Sequence, residues 1–207
     1  MIGILGGTFN PIHYGHIRAA EQVFSALPVQ EVQLLPCAIP VHRGAPQVSA
    51  KQRLSMIELA IAGRKGLGIN RLELDRGGPS YMIDTLRLIR EQQPDQTVCL
   101  ILGGDAFNAF ESWKCAPEIL DLVHLVVCQR PGIVSDPGIY VERRVNTVER
   151  LSQVQQGFIL FMSIDECNCS SSEVRRRLAI SRSASDCLPE AVSEYIINNH
   201  LYENQCE

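Results

Sequence analysis

Two histidines stand three residues apart behind a run of small residues, in Gly6-Gly7-Thr8-Phe9-Asn10-Pro11-Ile12-His13-Tyr14-Gly15-His16. The glycines let backbone N–H groups approach a ligand with no Cβ in the way, and Thr8 adds a hydroxyl. His13 and His16 straddle the start of a helix, so both can face one point, and Gly15 keeps the backbone between them open. A helix N-terminus offers unpaired N–H groups and a partial positive charge, both suited to phosphate. Two imidazoles there can donate hydrogen bonds to phosphoryl oxygens. Far along the chain, Ser170-Ser171-Ser172-Glu173-Val174-Arg175 supplies a second set of such groups. Three serines at a helix start cap it and present hydroxyls. Arg175, three residues beyond Ser172, can reach the same anion, and guanidinium forks match phosphate oxygens. The plain alternatives are a turn with incidental histidines and a capped surface helix with solvated arginines; Arg176 and Arg177 fit that second description.

Other motifs exclude themselves. The first loop lacks the G-x-G-x-x-G spacing of a dinucleotide fingerprint and the Lys of a P-loop, which disfavours a nicotinamide-dependent dehydrogenase. The histidine pair has no clear third partner for a metal. Of eight cysteines (37, 99, 115, 128, 167, 169, 187 and 206) only Cys167 and Cys169 are close in sequence, and no CxxC completes a zinc set. With no secretory signal at the N-terminus, the cysteines are expected as free thiols in a reducing cytoplasm.

The elements that position these groups are short apolar runs alternating with amphipathic stretches. Strands are expected at residues 2–5, 32–35, 69–74, 98–102, 125–128 and 158–162. Helices are expected at 16–26, 50–62, 82–91, 117–122, 170–180 and 189–200, with Ser80 as a cap for the third and Pro117 opening the fourth. Residues 38–48 read as a loop. Strand and helix in alternation mean an α/β fold, a doubly wound, mainly parallel sheet with helices on both faces. Ligands then bind beyond the carboxyl ends of the strands, so the residues after Leu5, Leu35, Leu74, Leu102, Cys128 and Met162 should share a cleft. With 207 residues, one domain over 1–207 is expected, its C-terminal helices (170–207) packed on it. Apolar residues at 45% and charged residues at 20% can fill a core. A net charge of −4 disfavours general polyanion binding, so no polymeric nucleic acid is expected as a partner. The apolar runs are too short to cross a bilayer, so no membrane partner is expected either.

On the words GGTFNPIHYGH the chain resembles the nucleotidylyltransferase superfamily with its (H/T)xGH signature, and within it the bacterial nicotinate-mononucleotide adenylyltransferases. The likeness runs from Gly6 to Arg175 in the family's order, with Ser170–Arg175 resembling its ISSTxxR element, Cys169 taking the place of Ile and Ser172 that of Thr. The resemblance implies a Rossmann-like fold and the joining of ATP to nicotinate mononucleotide, giving deamido-NAD (nicotinate adenine dinucleotide) and pyrophosphate, with Mg²⁺ accompanying ATP and no protein metal ligand. It implies catalytic roles for His13, His16 and Arg175. It assigns Gly7, Thr8, Phe9, Gly103, Asp105, Ser170, Ser171 and Ser172 to ATP, Asp105 accepting ribose hydroxyls. Pro40-Val41-His42-Arg43 resembles the family's PPHR and places His42 and Arg43 at the mononucleotide. Pro79-Ser80-Tyr81-Met82 resembles PSYT and brings Tyr81 and Met82 to the nicotinate carboxylate, by backbone N–H. Trp113 would stack on the pyridine ring, with the Lys114 N–H beside the carboxylate; the Lys114 charge is a further candidate to assist that anion. Asn10 stands where the family usually has Asp, and Cys37 where relatives often carry Asn. Residues 133–156 carry no matching motif. A monomer or small homo-oligomer is expected, and a nucleotide sensor without turnover is the rival from another class.

Overall fold

The computed structural model describes residues 1–41, 44–129, 136–180 and 182–203. Strand β1 (Ile2–Gly7) runs into helix α1 (Tyr14–Ala26), then β2 (Val32–Pro36), α2 (Ala50–Ile61) and β3 (Leu67–Ile69). Two helices follow, α3 (Leu72–Arg76) and α4 (Met82–Gln92), before β4 (Val98–Gly103). The chain continues through α5 (Gly104–Asn108), α6 (Ala116–Leu120) and β5 (His124–Gln129), then β6 (Arg144–Val145) and β7 (Ile159–Ser163), and closes with α7 (Ser171–Ala179) and α8 (Glu190–Asn198).

The strands form one sheet in the order β3-β2-β1-β4-β5-β7-β6, every neighbouring pair parallel. Alternate residues of each strand feed two cores. Leu5, Leu34, Ile101, Val126 and Leu160 meet α1, α2 and α8 through Ile17, Val23, Met56, Ile57, Val192 and Ile196. Ile4, Leu100, Leu102, Leu125 and Val127 meet the α4 and α6 side through Ile83, Leu86, Ile89, Ile119 and Leu120. Helices therefore cover both faces, as a parallel sheet requires. From β1 the chain first winds outward through β2 and β3, then returns to lay β4 on the other side of β1. That reversal leaves a crevice at the carboxyl ends of β1 and β4, the position where such sheets take ligands.

Two expectations are corrected. The strand placed at 69–74 is β3 at Leu67–Ile69, and Leu72 and Leu74 lie in α3. The Asn70 side chain accepts the Leu72 N–H at 3.0 Å, a local bond that turns the chain into a helix where the alternating pattern read as extended. Ser80 does not cap α4, whose cap position is Tyr81; its hydroxyl instead accepts the Ala38 N–H at 2.9 Å. The segment without a motif contributes two 3₁₀ turns and the edge strand β6.

Candidate active site

The site is built around the loop that leaves β1. His13 is the N-cap of α1, and its Nδ1 accepts the Gly15 N–H at 3.1 Å. His16, one turn in, accepts the His13 N–H on its own Nδ1 at 3.3 Å. The two bonds together form a capping box made of imidazoles. An acceptor at Nδ1 places the proton of each neutral ring on Nε2. Both rings therefore carry a donor on the side away from the helix backbone. The ring centroids stand 3.8 Å apart, and the Phe9 ring lies edge-on to His16 at 5.0 Å. Gly15 is required sterically. A Cβ there would come within 2.9 Å of the His13 ring and 3.3 Å of the Cys169 carbonyl.

That last contact joins the two motifs. Cys169 precedes Ser170, the N-cap of α7, whose hydroxyl accepts the Glu173 N–H at 3.2 Å. Ser171 donates its hydroxyl to the Pro11 carbonyl at 3.0 Å. Arg175 donates to the Asn10 carbonyl at 2.6 Å and to the Ser172 hydroxyl at 3.3 Å. Asn10 is held from the other side as well, its Oδ1 accepting the buried Tyr202 hydroxyl at 2.8 Å. Burial pushes the Tyr202 phenol well above its usual range, so it stays a donor. The Tyr14 N–H donates to the Cys187 carbonyl at 2.9 Å. Segments some 160 residues apart thus form one seam, with Ser172 exposed and Arg175 half-buried along it.

Arg176 and Arg177 face elsewhere. Both grip Glu173, at 2.8 and 2.9 Å, and Arg177 also pairs with Asp186 at 2.8 Å. Those two guanidinium groups hold the Glu173 carboxyl down to about 2.

The cysteine expectation is corrected beside this seam. Cys169 and Cys187 are paired as a disulfide with their Cα atoms 5.4 Å apart. A separation of 18 residues carries no recognisable spacing, and only the packing of α7 against the segment before α8 brings them together. Cys37, Cys99, Cys115, Cys128 and Cys167 are free. Cys99 and Cys128 are small buried hydrophobes in strands, their thiols pushed up to about 12 by burial.

Across the crevice, β4 ends at the exposed Gly103, where a Cβ would meet nothing. Gly103 caps α5, so Asp105 is not spent on capping and its side chain is exposed. The Met82 methyl group packs so close to Gly6 that a Cβ there would lie at 2.8 Å, which brings the start of α4 against the first loop. Trp113 is half-buried, 5.7 Å from the Phe110 ring. Lys114 Nζ sits 4.5 Å above the Tyr81 ring and 2.9 Å from Asp84 Oδ2. The Lys114 charge, a candidate to assist a bound anion, is paired with Asp84 in this structure. Tyr81, Met82, Trp113 and Lys114 are nonetheless neighbours. His42 and Arg43 lie outside the described residues.

Sequence reading missed Arg53. It is among the most deeply buried side chains, and it contacts both the first loop and the loop after β2. Its signal was its place on the apolar stripe of α2, at i, i+3, i+4 and i+7 with Met56, Ile57 and Ala60.

A parallel sheet with a histidine-bearing loop after β1 and a serine–arginine helix joined to it defines a nucleotidyltransferase-type site. The family model described as cytidylyltransferase-like matches residues 4–177. A probable nicotinate-nucleotide adenylyltransferase of Methylococcus capsulatus is 42% identical over 208 residues, spanning 98% of this chain and 99% of that protein. One of Acidithiobacillus ferrooxidans is 40% identical, spanning 97% and 95%. The chain belongs to the cytidylyltransferase-like family, in its nicotinate-nucleotide adenylyltransferase branch. In fold it matches the Plasmodium falciparum nicotinic acid mononucleotide adenylyltransferase complexed with NaAD, with a TM-score of 0.78 at 20% identity, covering 100% of this chain and 98% of that one.

Proposed function

We propose that this protein joins ATP and nicotinate mononucleotide, forming deamido-NAD and releasing pyrophosphate, as the names of its relatives say of them. The observation that carries the reading is the seam: His13 and His16 on one side, Ser172 and Arg175 on the other, tied through Asn10 and Pro11.

The chemistry needs little from the protein beyond placement. A mononucleotide phosphate oxygen attacks the α-phosphorus of ATP, a P–O bond forms, and the bond to the bridging oxygen of the leaving pyrophosphate breaks with its electron pair. The attacking phosphate is already anionic at neutral pH, so no general base is required. Catalysis is in-line positioning plus stabilisation of the charge that builds on the phosphoryl oxygens. Nε2–H groups of His13 and His16 donate to the α- and β-phosphate oxygens. Ser170, Ser171, Ser172 and Arg175 hold the β- and γ-phosphates, and backbone N–H groups of Gly7, Thr8 and Phe9 line the loop beneath. Gly103 lets the nucleoside approach the sheet, and Asp105 accepts ribose hydroxyls.

On the other side, Trp113 stacks on the pyridine ring, while backbone N–H groups at Met82 and Lys114, beside Tyr81, receive its carboxylate. His42 and Arg43 bind the mononucleotide phosphate.

The donors at the seam are N–H groups and hydroxyls, which suit phosphate oxygens and not a cation. Among the described residues no cluster of three or more His, Cys, Asp or Glu is assembled. ATP would enter as its Mg²⁺ complex, an ion that dehydrates reluctantly and would supply positive charge against the phosphates. Among the described residues no helix is long and apolar enough to cross a membrane.

The test is pyrophosphate release from ATP and Mg²⁺ with each mononucleotide in turn. Release with nicotinate mononucleotide, well above that with its amide, supports the reading. A preference for the amide moves the substrate, and no release with any mononucleotide rejects the enzyme in favour of a nucleotide sensor.

A further inference from the structure

Arg53 presents a buried charge in an unusual setting. It is 1% exposed, and among the described residues it has no carboxylate within salt-bridge distance. Its guanidinium instead spreads over three backbone carbonyls. Nη1 donates to Thr8 at 2.8 Å, while Nη2 donates to Cys37 at 2.8 Å and Ala38 at 3.2 Å. Nη1 also lies 3.8 Å from Cys37 Sγ, and Nε is buried with no hydrogen-bond acceptor among the described residues. Burying a cation against neutral acceptors, with one donor wasted, costs more than an apolar residue of similar size would. Stability alone does not account for it.

The two loops it grips are the ones the reaction needs in register. Thr8 belongs to the loop that carries His13, and Cys37 and Ala38 open the loop that leads to His42 and Arg43. In a trans peptide the carbonyl and the following N–H point in opposite directions. Holding a carbonyl toward Arg53 therefore turns the next N–H away from it. At the second loop the consequence is visible: the Ala38 N–H donates to Ser80 at 2.9 Å, and the Ile39 N–H donates to Gly78 at 3.3 Å. Those bonds carry the restraint on to Tyr81 and Met82. At the first loop the same geometry turns the Phe9 N–H away from Arg53. Phe9 sits at φ 48, a strained backbone for a bulky residue. The Thr8–Arg53 bond is one force that holds that conformation.

We propose that Arg53 is a positioning residue for adenylyl transfer: its buried guanidinium locks the triphosphate loop to the mononucleotide loop and so fixes the distance between nucleophile and α-phosphorus. The inference rests on the adenylyltransferase reading above. It touches neither substrate, so its removal should act on the alignment of two bound reactants more than on the binding of either.

The experiment compares Arg53→Lys and Arg53→Ala with the parent chain, measuring kcat, both KM values and the thermal midpoint. Misplacement by about 1 Å costs on the order of 10²-fold in rate. Arg53→Ala, shown folded at the assay temperature, should lose roughly that much in kcat, with both KM values within about threefold of the parent. Millimolar guanidinium ion should restore part of the kcat of Arg53→Ala and leave the parent unchanged. Arg53→Lys keeps a cation but cannot span three carbonyls on two loops, so a clear kcat loss is expected there too. A folded variant with kcat within twofold of the parent overturns the proposal, as does failure of both variants to fold, which would assign Arg53 to the core alone. If the parent itself releases no pyrophosphate, the enzymatic reading fails, and that outcome is distinct from variants that turn over as well as their parent.

Discussion

The two halves of the crevice are held by different forces. On the triphosphate side the phosphate loop and α7 are stitched by short bonds to backbone carbonyls: Ser171 to Pro11 at 3.0 Å and Arg175 to Asn10 at 2.6 Å, with Tyr202 fixing the Asn10 amide from below at 2.8 Å. On the side proposed for the pyridine ring, Lys114 meets Asp84 and the Tyr81 ring through exposed groups. Contacts of that kind are worth little and are easily rearranged. A phosphate chain presents the same oxygens in every turnover and rewards donors fixed in advance. A flat ring with one small substituent asks for a surface that can adjust. On the proposed function, the more firmly held side is the one where charge would develop.

The contrast can be broken from either side. The largest effect belongs to His16→Ala, which removes one fixed donor and should cut kcat by roughly 10²–10³-fold, the scale of losing one transition-state hydrogen bond. Steady-state kinetics showing near-normal turnover would remove His16 from the chemistry. Tyr202→Phe leaves the Asn10 amide oxygen buried and unsatisfied. It should lower the free energy of unfolding by about 1–3 kcal/mol in denaturant titrations, and an unchanged midpoint would mean that the seam does not depend on Tyr202.

Trp113→Ala should raise KM for the nicotinate substrate by about tenfold, the order expected from losing an aromatic plate, and raise KM for ATP far less. Equal effects on both substrates would take Trp113 out of the pyridine side. The smallest effect is Lys114→Ala, which should change stability by less than ~1 kcal/mol and leave kcat near the parent value. A large kcat loss would show that the adjustable wall is not adjustable.

A pH test reaches the opposite end of the strands. His124 is buried at the start of β5, its Nδ1 accepting the Phe158 N–H at 3.1 Å and its Nε2 standing 3.1 Å from the Val154 carbonyl. Burial depresses its pKa below the ordinary 6.5. The unfolded chain then binds the proton more readily, so stability is full above about pH 6.5 and falls as the pH drops through that value toward the depressed one. The thermal midpoint should decline between pH 7 and pH 5, and His124→Gln should show a shallower decline. The same slope in both would exclude His124 as the source.

Much of this was legible in the residues. Alternation of apolar runs and amphipathic stretches announced the sheet and its two layers, and the loop after the first strand meets the serine–arginine helix as expected. Ser170 as a helix cap and Arg175 beside Ser172 also followed from spacing. What failed was decided by tertiary packing or by one local bond. The Asn70 side chain turned an extended-looking run into α3. Ser80, a good cap by type, was claimed by the Ala38 N–H from 42 residues away. The Cys169–Cys187 pair depends on two segments meeting in space. Arg53 was overlooked because a charged residue in an amphipathic helix reads as solvent-facing, although its spacing with Met56, Ile57 and Ala60 put it on the buried stripe.

The most direct measurement is a crystal structure of this protein with α,β-methylene ATP, an analogue that binds without transferring its adenylyl group. The expected result has the α- and β-phosphate oxygens about 3 Å from the Nε2 atoms of His13 and His16, and a β- or γ-phosphate oxygen at similar distance from Ser172 Oγ and the Arg175 guanidinium. A triphosphate that touches only one of the two segments, or lies outside the crevice between β1 and β4, would contradict it.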